Sequence, residues 1–397
     1  MPPSKVVVVH SNVDAMGGAE NHCVRVLSLL QKRFDDITLV HTGGALDADR
    51  IFRWCGIRLD PDRVRFVSAA PKSAFLQKFL KPVMFSYAAA LHKSRALSRD
   101  ASLVVGTFGE CPIDHPRLLQ SIHVPLFFYD RESLGYLGFN DPRATRHAMR
   151  AAYIILSRLL SGWSRAAVVK PTTITNSHWT REQFERHYGP GSARTIHHGA
   201  SVSLSPSDSA YLPFSARENN FVILGRVVPN KRVDLAISIV ERLREQHSHD
   251  VGLRIIGRAA PEYEQEVRAL MAGRPWIEWH SDLTRTTLEQ LIARQKWGLH
   301  CYRFEHYGLA PAELQHLGCI TFVPDFGGQT EIITDPRLRY TDMDDAVAKI
   351  DAILRAPRAA HDEILADMAR NNAMHSVHHF EQEFLDLIDR MQPGNTP

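Results

Sequence analysis

Lys5-Val-Val-Val-Val-His10 is a β-branched run with no polar alternation, the pattern of a strand buried on both faces in a parallel sheet. A polar, glycine-bearing loop follows at Ser11–Gly18. Ala19–Leu30 then sets Val24, Val26, Leu27 and Leu30 at helical spacing, and Ile37–Val40 reads as the next strand. Strand, glycine loop, helix, strand is the opening of a doubly wound α/β domain. Further strands are expected at Ser102–Val105, Leu126–Tyr129 and Thr173–Thr175.

The pattern restarts beyond Ser201–Asn220, a stretch rich in Ser, Pro and Asn that reads as an interdomain connector. Phe221–Leu224 is a strand, Gly225-Arg226 a turn and Val233–Glu245 an amphipathic helix. Leu253–Ile256, Gly298–Cys301 and Ile320–Val323 continue the alternation. Two α/β domains are therefore expected, 1–205 and 206–375. A final segment, 376–397, carries Phe380, Phe384, Leu385 and Ile388 at helical spacing. A length of 397 residues suits two domains.

Composition excludes several classes. With 44% apolar and 23% charged residues, the chain is neither disordered nor collagen-like nor a disulfide-stapled miniprotein. No run reaches the roughly 18–20 apolar residues of a membrane span; Ala151–Trp163 is interrupted by Arg158. Val6–Val9 is too short for a signal-peptide core. Cys23, Cys55, Cys111, Cys301 and Cys319 are scattered, with no C-x-x-C pair, as expected of thiols in a reducing, cytoplasmic compartment. Charge is unevenly spread. Residues 1–205 hold 26 Lys and Arg against 16 Asp and Glu, and residues 206–397 hold 21 against 28. A basic half suggests an anionic partner.

Four constellations bear chemistry. Met16-Gly17-Gly18-Ala19-Glu20 places glycines where backbone N–H groups can meet a phosphate at a helix N-terminus; a tight turn needing positive φ is the structural alternative. Gly225-Arg226 followed by Lys231 puts two cations just beyond a strand, suited to a diphosphate that gains charge as a bond breaks; a solvated basic loop is the alternative. Glu305 and Glu313 flank Gly308, ahead of and inside a helix that Pro311 helps to start. Phe326-Gly327-Gly328-Gln-Thr-Glu331 reads mainly as a turn. Neither half supplies G-x-G-x-x-G, a P-loop or a pyridoxal phosphate lysine, and His197-His198 and His378-His379 lack ligands at metal spacing.

Taken in order, these features resemble the retaining glycosyltransferases of family 4. The resemblance rests on the Gly-Gly-Ala-Glu loop, Ile174-Thr-Asn-Ser177 with Thr180 close behind, the Gly-Arg…Lys loop, the Glu305/Glu313 pair and the Gly-Gly-x-x-Glu loop ending at Glu331. It implies the GT-B fold, two Rossmann-like domains facing each other across a cleft, with the last helix crossing back to the first domain. It implies that Gly17 and Gly18 face the donor diphosphate, and that Arg226 and Lys231 neutralise the departing nucleotide without a metal or other cofactor. Glu305 would bind hydroxyls of the transferred sugar, backbone amides around Tyr307, Gly308 and Leu309 the phosphates, and Glu313 the ribose. A histidine of the first domain would lie near the reacting sugar: His123, in Ser121-Ile-His-Val-Pro125, is the first candidate, His115 the second and His10 the third. Arg303-Phe304 and His306-Tyr307 depart from the family pattern.

Ile122-His-Val-Pro-Leu-Phe-Phe-Tyr129 is similar to lipid-linked-oligosaccharide mannosyltransferases, which points to GDP-mannose, with a UDP-sugar as the alternative donor. The expected acceptor is a glycan or lipid-linked sugar in polysaccharide or glycolipid assembly. Residues 72–99 interleave Lys78, Lys81, Lys93 and Arg95 with Phe75, Phe79, Met84 and Phe85. That suits either peripheral contact with the inner face of an anionic membrane or an ordinary domain helix. No nucleic-acid module is present. A catalytically inactive nucleotide-sugar-binding scaffold is the reading of a different class.

Overall fold

The computed structural model describes residues 5–15, 17–44, 46–71, 73, 77–78, 82–128 and 144–391. Met16, Lys72, Phe75, Phe79, Lys81 and Tyr129, on which parts of the sequence reading draw, lie outside them. The chain divides into two compact units, Met1–Ile196 with Glu381–Pro397, and His197–Phe380.

The first unit is built on a seven-stranded parallel sheet. Its strands are β1 (Lys5–Val9), β2 (Asp36–His41), β3 (Val64–Ser68), β4 (Leu103–Gly106), β5 (Leu118–Ile122), β6 (Thr172–Thr175) and β7 (Arg194–Thr195), in the order β3-β2-β1-β4-β5-β6-β7. Val6 to Val9 are wholly buried, which is why this strand needs four consecutive valines. β5 corrects the expectation of a strand at Leu126–Tyr129: Leu118-Leu-Gln-Ser-Ile pairs with β4 and β6, and Leu126–Phe128 is irregular. In that irregular segment the amides of Leu126 and Phe127 donate to the buried Glu110 carboxylate. A side chain distant in sequence thus satisfies backbone that looked fit for a ladder. Ser177 caps the helix His178–Tyr188 by accepting from Thr180 N–H, which accounts for the Ser177/Thr180 spacing. The last helix, Val377–Arg390, is anchored here by Arg25–Glu381 at 3.0 Å and by the Arg33 guanidinium, which grips both Asp389 oxygens.

The second unit repeats the plan with six parallel strands: β8 (Glu218–Leu224), β9 (Gly252–Ile256), β10 (Ile277–His280), β11 (Gln295–Leu299), β12 (Ile320–Pro324) and β13 (Arg339–Tyr340), ordered β10-β9-β8-β11-β12-β13. Phe221, Trp297 and Phe322 meet in its core. Ser201–Asn220 is not a free connector. The Ser203 and Leu204 amides donate to the buried Glu289 carboxylate, and Arg217 donates to the carbonyls of Leu212, Gln295 and Leu317. The division therefore falls at Ile196/His197, ahead of that stretch.

Candidate functional site

β8 and β11 are neighbours although β9 and β10 lie between them in the chain. Loops leaving the carboxyl ends of two such strands diverge, and open α/β sheets hold ligands in the crevice between. Arg226 and Lys231 leave β8, and Glu305 leaves β11. Lys231 Nζ donates to Glu305 Oε2 at 2.8 Å and stands 5.1 Å from the centre of the Tyr302 ring. His300 Nε2 lies 3.2 Å from the same carboxylate oxygen. Burial opposes charge on Glu305, yet the Lys231 ammonium and His300 hold its carboxyl well below the usual carboxylate range. Burial also lowers His300 and takes His306 down to about 4. Arg226 is exposed at the start of its loop.

Glycines fix the frame. Gly308, at φ 108, starts the helix Leu309–His316 without a side-chain cap; Pro311 has no N–H, so the Leu309 and Ala310 amides are the ones this helix start can offer an anion. Gly327, at φ 83, lets the backbone come so close that a Cβ there would sit 2.4 Å from the Glu305 carbonyl oxygen. Gly328 N–H donates to that same oxygen at 2.8 Å, and Gln329 Nε2 to the carbonyls of Tyr302 and Phe326. The Gly-Gly-x-x-Glu loop, read mainly as a turn, therefore holds the Glu305 loop in place. The unusual Arg303 and Phe304 both pack on Phe326. The Tyr307 side chain points into the unit, its hydroxyl accepting from Gly199 N–H at 3.0 Å. Glu331 pairs with His197 at 2.9 Å, a carboxylate neighbour that residue spacing did not reveal.

Glu313 meets a partner the sequence reading missed. Arg285 Nη1 lies 3.0 Å from Glu313 Oε1, while Arg285 Nε donates to Glu289 at 2.6 Å. Burial raises the Glu313 carboxyl, and Arg285 partly offsets it. The Arg285/Glu289 spacing of four residues on the helix Arg285–Ala293 was legible. The link to Glu313, on another helix, was not.

In the first unit the corresponding reversal lies between β1 and β4. His10 directly follows β1, its Nδ1 2.9 Å from the Thr107 hydroxyl beyond β4 and its Nε2 3.8 Å from Glu20. Burial pushes the His10 ring down, but Cys23 and Glu20 raise it, to about 9 overall. Gly17 has φ −100, so a positive φ is not what calls for glycine at that position, and its N–H donates to Glu20 Oε2 at 2.7 Å. A phosphate contact through Gly17 N–H would first have to displace Glu20; Gly18 opens the helix behind it. His123 follows β5 directly, its Nε2 3.1 Å from the Thr107 carbonyl and its ring edge-on to His22. His115 precedes β5, with Nε2 3.0 Å from the Ala101 carbonyl and Nδ1 2.9 Å from that of Arg117. It therefore sits at the amino ends of the strands, away from the ligand-binding edge. A cavity of about 430 Å³ opens beside Ser11, Asn12, Glu20, Thr42 and Gly43.

Residues 206–373 match the family model described as glycosyl transferases group 1. A glycogen synthase of Bordetella bronchiseptica is 29% identical over 162 residues, 38% of this chain and 32% of that protein. The chain thus aligns with about a third of that relative's length. A GDP-Man:Man(3)GlcNAc(2)-PP-Dol alpha-1,2-mannosyltransferase of Neurospora crassa is 23% identical over 269 residues, 61% of this chain and 47% of that one. Among solved structures, Anabaena Alr3699/HepE in complex with UDP-glucose superposes with a TM-score of 0.67 at 13% identity, covering 97% of this chain and 99% of that one. Two doubly wound parallel sheets in succession, the second with its cations and carboxylates at the strand reversal, identify a protein of the GT-B fold that is related, through residues 206–373, to the glycosyl transferases of group 1.

Proposed function

We propose that this chain is a retaining glycosyltransferase that moves a sugar from a UDP-sugar to a hydroxyl of a glycan or lipid-linked acceptor. The observation that carries the reading is the Lys231–Glu305 pair at the β8/β11 reversal: an ammonium for a diphosphate and a carboxylate for sugar hydroxyls, next to an uncapped helix start. In the reaction the bond from C1 to the β-phosphate oxygen breaks and a bond from the acceptor oxygen to C1 forms on the same face. The acceptor's proton passes to the departing phosphate oxygen. Arg226 and Lys231 stabilise the charge that grows on the diphosphate, the task a divalent ion has in other transferases. Glu305 orients the sugar, the Gly308–Leu309 amides receive phosphate oxygens, and Glu313 takes the ribose hydroxyls. In the first unit, the cavity beside Ser11, Asn12 and Glu20 offers hydroxyl, amide and carboxylate groups to the hydroxyls of an acceptor, with His123 the histidine assigned to the reacting sugar.

The complex of Anabaena HepE with UDP-glucose supports the uridine donor. Similarity to the Neurospora mannosyltransferase supports GDP-mannose as the second reading. The test is nucleotide release from UDP-glucose, UDP-N-acetylglucosamine, UDP-galactose and GDP-mannose in the presence of an acceptor panel. UDP release abolished by Glu305→Gln is expected. GDP release alone would move the donor to mannose, and no release with retained nucleotide binding would leave an inactive binding protein.

A further inference from the structure

The stretch from His300 to Gly308 carries Glu305 from the end of β11 to the helix Leu309–His316. Gly328 holds it at the Glu305 carbonyl. Its far end is held by a side chain. Tyr307 stands two residues beyond Glu305 and immediately ahead of Gly308, and its ring is buried in the core of the second unit. A buried phenol needs a partner for its oxygen, and this one has two. It accepts from the buried Gly199 N–H at 3.0 Å and lies 3.2 Å from His375 Nδ1.

The ends of this chain of hydrogen bonds fix its protons. Gly199 N–H only donates, so the Tyr307 hydroxyl keeps its own proton to give to His375 Nδ1. His375 Nε2 lies 3.0 Å from the Glu331 carbonyl oxygen, which only accepts. The proton of the neutral ring therefore sits on Nε2, and Nδ1 is the acceptor that Tyr307 meets. Burial, with His197 adding to it, takes His375 down to about 4, which keeps the ring neutral at neutral pH. A phenylalanine at 307 would fill the same space and take this partner from both Gly199 N–H and His375 Nδ1. The hydroxyl, at one of the positions where this loop departs from the family pattern, thus adds something that shape alone does not.

Both anchors are themselves fixed. Gly199, at φ 70, lies so close to the Ser376 carbonyl that a Cβ there would collide with it. Ala200 N–H donates to the His375 carbonyl at 2.7 Å, and Val377 N–H to the Ala200 carbonyl at 3.1 Å. From this strapped backbone the His375 ring reaches both pieces that flank Gly308: Tyr307 on the Glu305 loop, and Glu331 on the short helix Gln329–Ile332. Gly308 packs on that helix, a Cβ at 308 falling 3.2 Å from Gln329 Cβ and from Ile332 Cδ1. All these residues belong to the second unit. We propose that Tyr307 is a positioning residue for sugar transfer, its hydroxyl, held between Gly199 and His375, setting where the Glu305 carboxylate and the amides after Gly308 stand. The proposal rests on the donor reading given above.

The test is made on the full chain, with whichever nucleotide sugar of the panel the wild type turns over, well below the melting temperature of every variant. Tyr307→Phe is expected to lower kcat about 10–10²-fold, the cost of a small misplacement, with KM moved less than about threefold. Two histidine variants separate positioning from stability. His375→Asn keeps an acceptor near the place of Nδ1 and should hold kcat within about threefold of wild type. His375→Gln keeps a donor near the place of Nε2, loses that acceptor, and should match Tyr307→Phe, with no further loss when the two are combined. Wild-type kcat in Tyr307→Phe, or equal losses in the two His375 variants, overturns the proposal and leaves the donor reading standing. A wild type that binds UDP-glucose without turnover contradicts the reaction instead. Calorimetry then decides the positioning role: Tyr307→Phe must weaken UDP-glucose more than UDP, and equal weakening or none overturns it. A wild type that binds no nucleotide sugar overturns both.

Discussion

The two sheets share one strand order and differ in what stands where that order reverses. In the second unit the reversal brings Lys231 onto Glu305, with Arg226 exposed at the start of the same loop as Lys231, and the helix that follows Glu305 starts with no side-chain cap. In the first unit the reversal holds His10, Thr107 and Glu20, and Glu20 has already taken the Gly17 N–H at the helix start. An occupied, acidic helix start repels an anion, while an open one beside a lysine attracts it. The same backbone plan therefore carries a lysine–glutamate pair at one reversal and a histidine–glutamate pair at the other. Side chains at equivalent places in the topology, and not the topology itself, divide the labour.

The contrast breaks most severely at Lys231. Lys231→Ala should lower kcat/KM about 10²–10³-fold and, by leaving Glu305 facing no cation, destabilise the second unit by about 3 kcal/mol. Adding Glu305→Gln should return most of the melting temperature and none of the turnover. A single variant with normal turnover would end the assignment of charge stabilisation to this loop.

Gly327→Ala tests the frame. Its Cβ would meet the Glu305 carbonyl oxygen at 2.4 Å in a left-handed backbone, so a loss of about 2 kcal/mol in denaturant unfolding is expected, with reduced turnover. A stable, fully active variant would show that the glycine loop does not position Glu305.

Glu313→Gln and Arg285→Met should each weaken UDP binding about tenfold, the worth of one charge-assisted contact. Binding of 2′,3′-dideoxy-UDP should barely change. pH sharpens this further. The folded Glu313 carboxyl titrates above its ordinary 4.5, so the ribose-dependent part of affinity is present at neutral pH and fades on acidification before pH 4.5 is reached. In Arg285→Met the fading should begin at higher pH, because the cation that opposes protonation is gone. Identical pH profiles for the two proteins would refute the coupling.

Glu20→Gln should have the smallest effect, about 1 kcal/mol or less in stability, with acceptor KM raised and donor affinity unchanged. Glu20 is held below its ordinary range, chiefly by His10 against the cost of burial. Its contribution is therefore present above pH 4.5 and lost as pH falls further. A fall in UDP affinity in this variant would mean that the first unit's glycine loop does meet the donor.

Much of the architecture was legible because it rests on local pattern. Val6–Val9 and Phe221–Leu224 are buried runs, and the loops after them carry their glycines and cations within a few residues. What escaped depends on distant chain. β5 was displaced to Leu126 because Glu110 satisfies that segment's amides from outside the ladder. The Arg285–Glu313 pair joins two helices. His115 and His123 look alike as short motifs, and only their places on either side of β5 separate them. Ala151–Trp163 was set aside as a membrane span because Arg158 interrupts it, and its sequence alone does not tell which side of that helix the core takes.

The most direct test of the central claim is calorimetric titration of the purified chain with UDP, GDP, ADP and NAD, repeated on Lys231→Ala with Glu305→Gln, the pair whose stability is expected to survive. Selective binding of UDP to the wild type, lost in the folded double variant, is the predicted result. UDP binding of equal strength in both proteins would contradict the account, because the nucleotide would then sit somewhere other than the β8/β11 crevice.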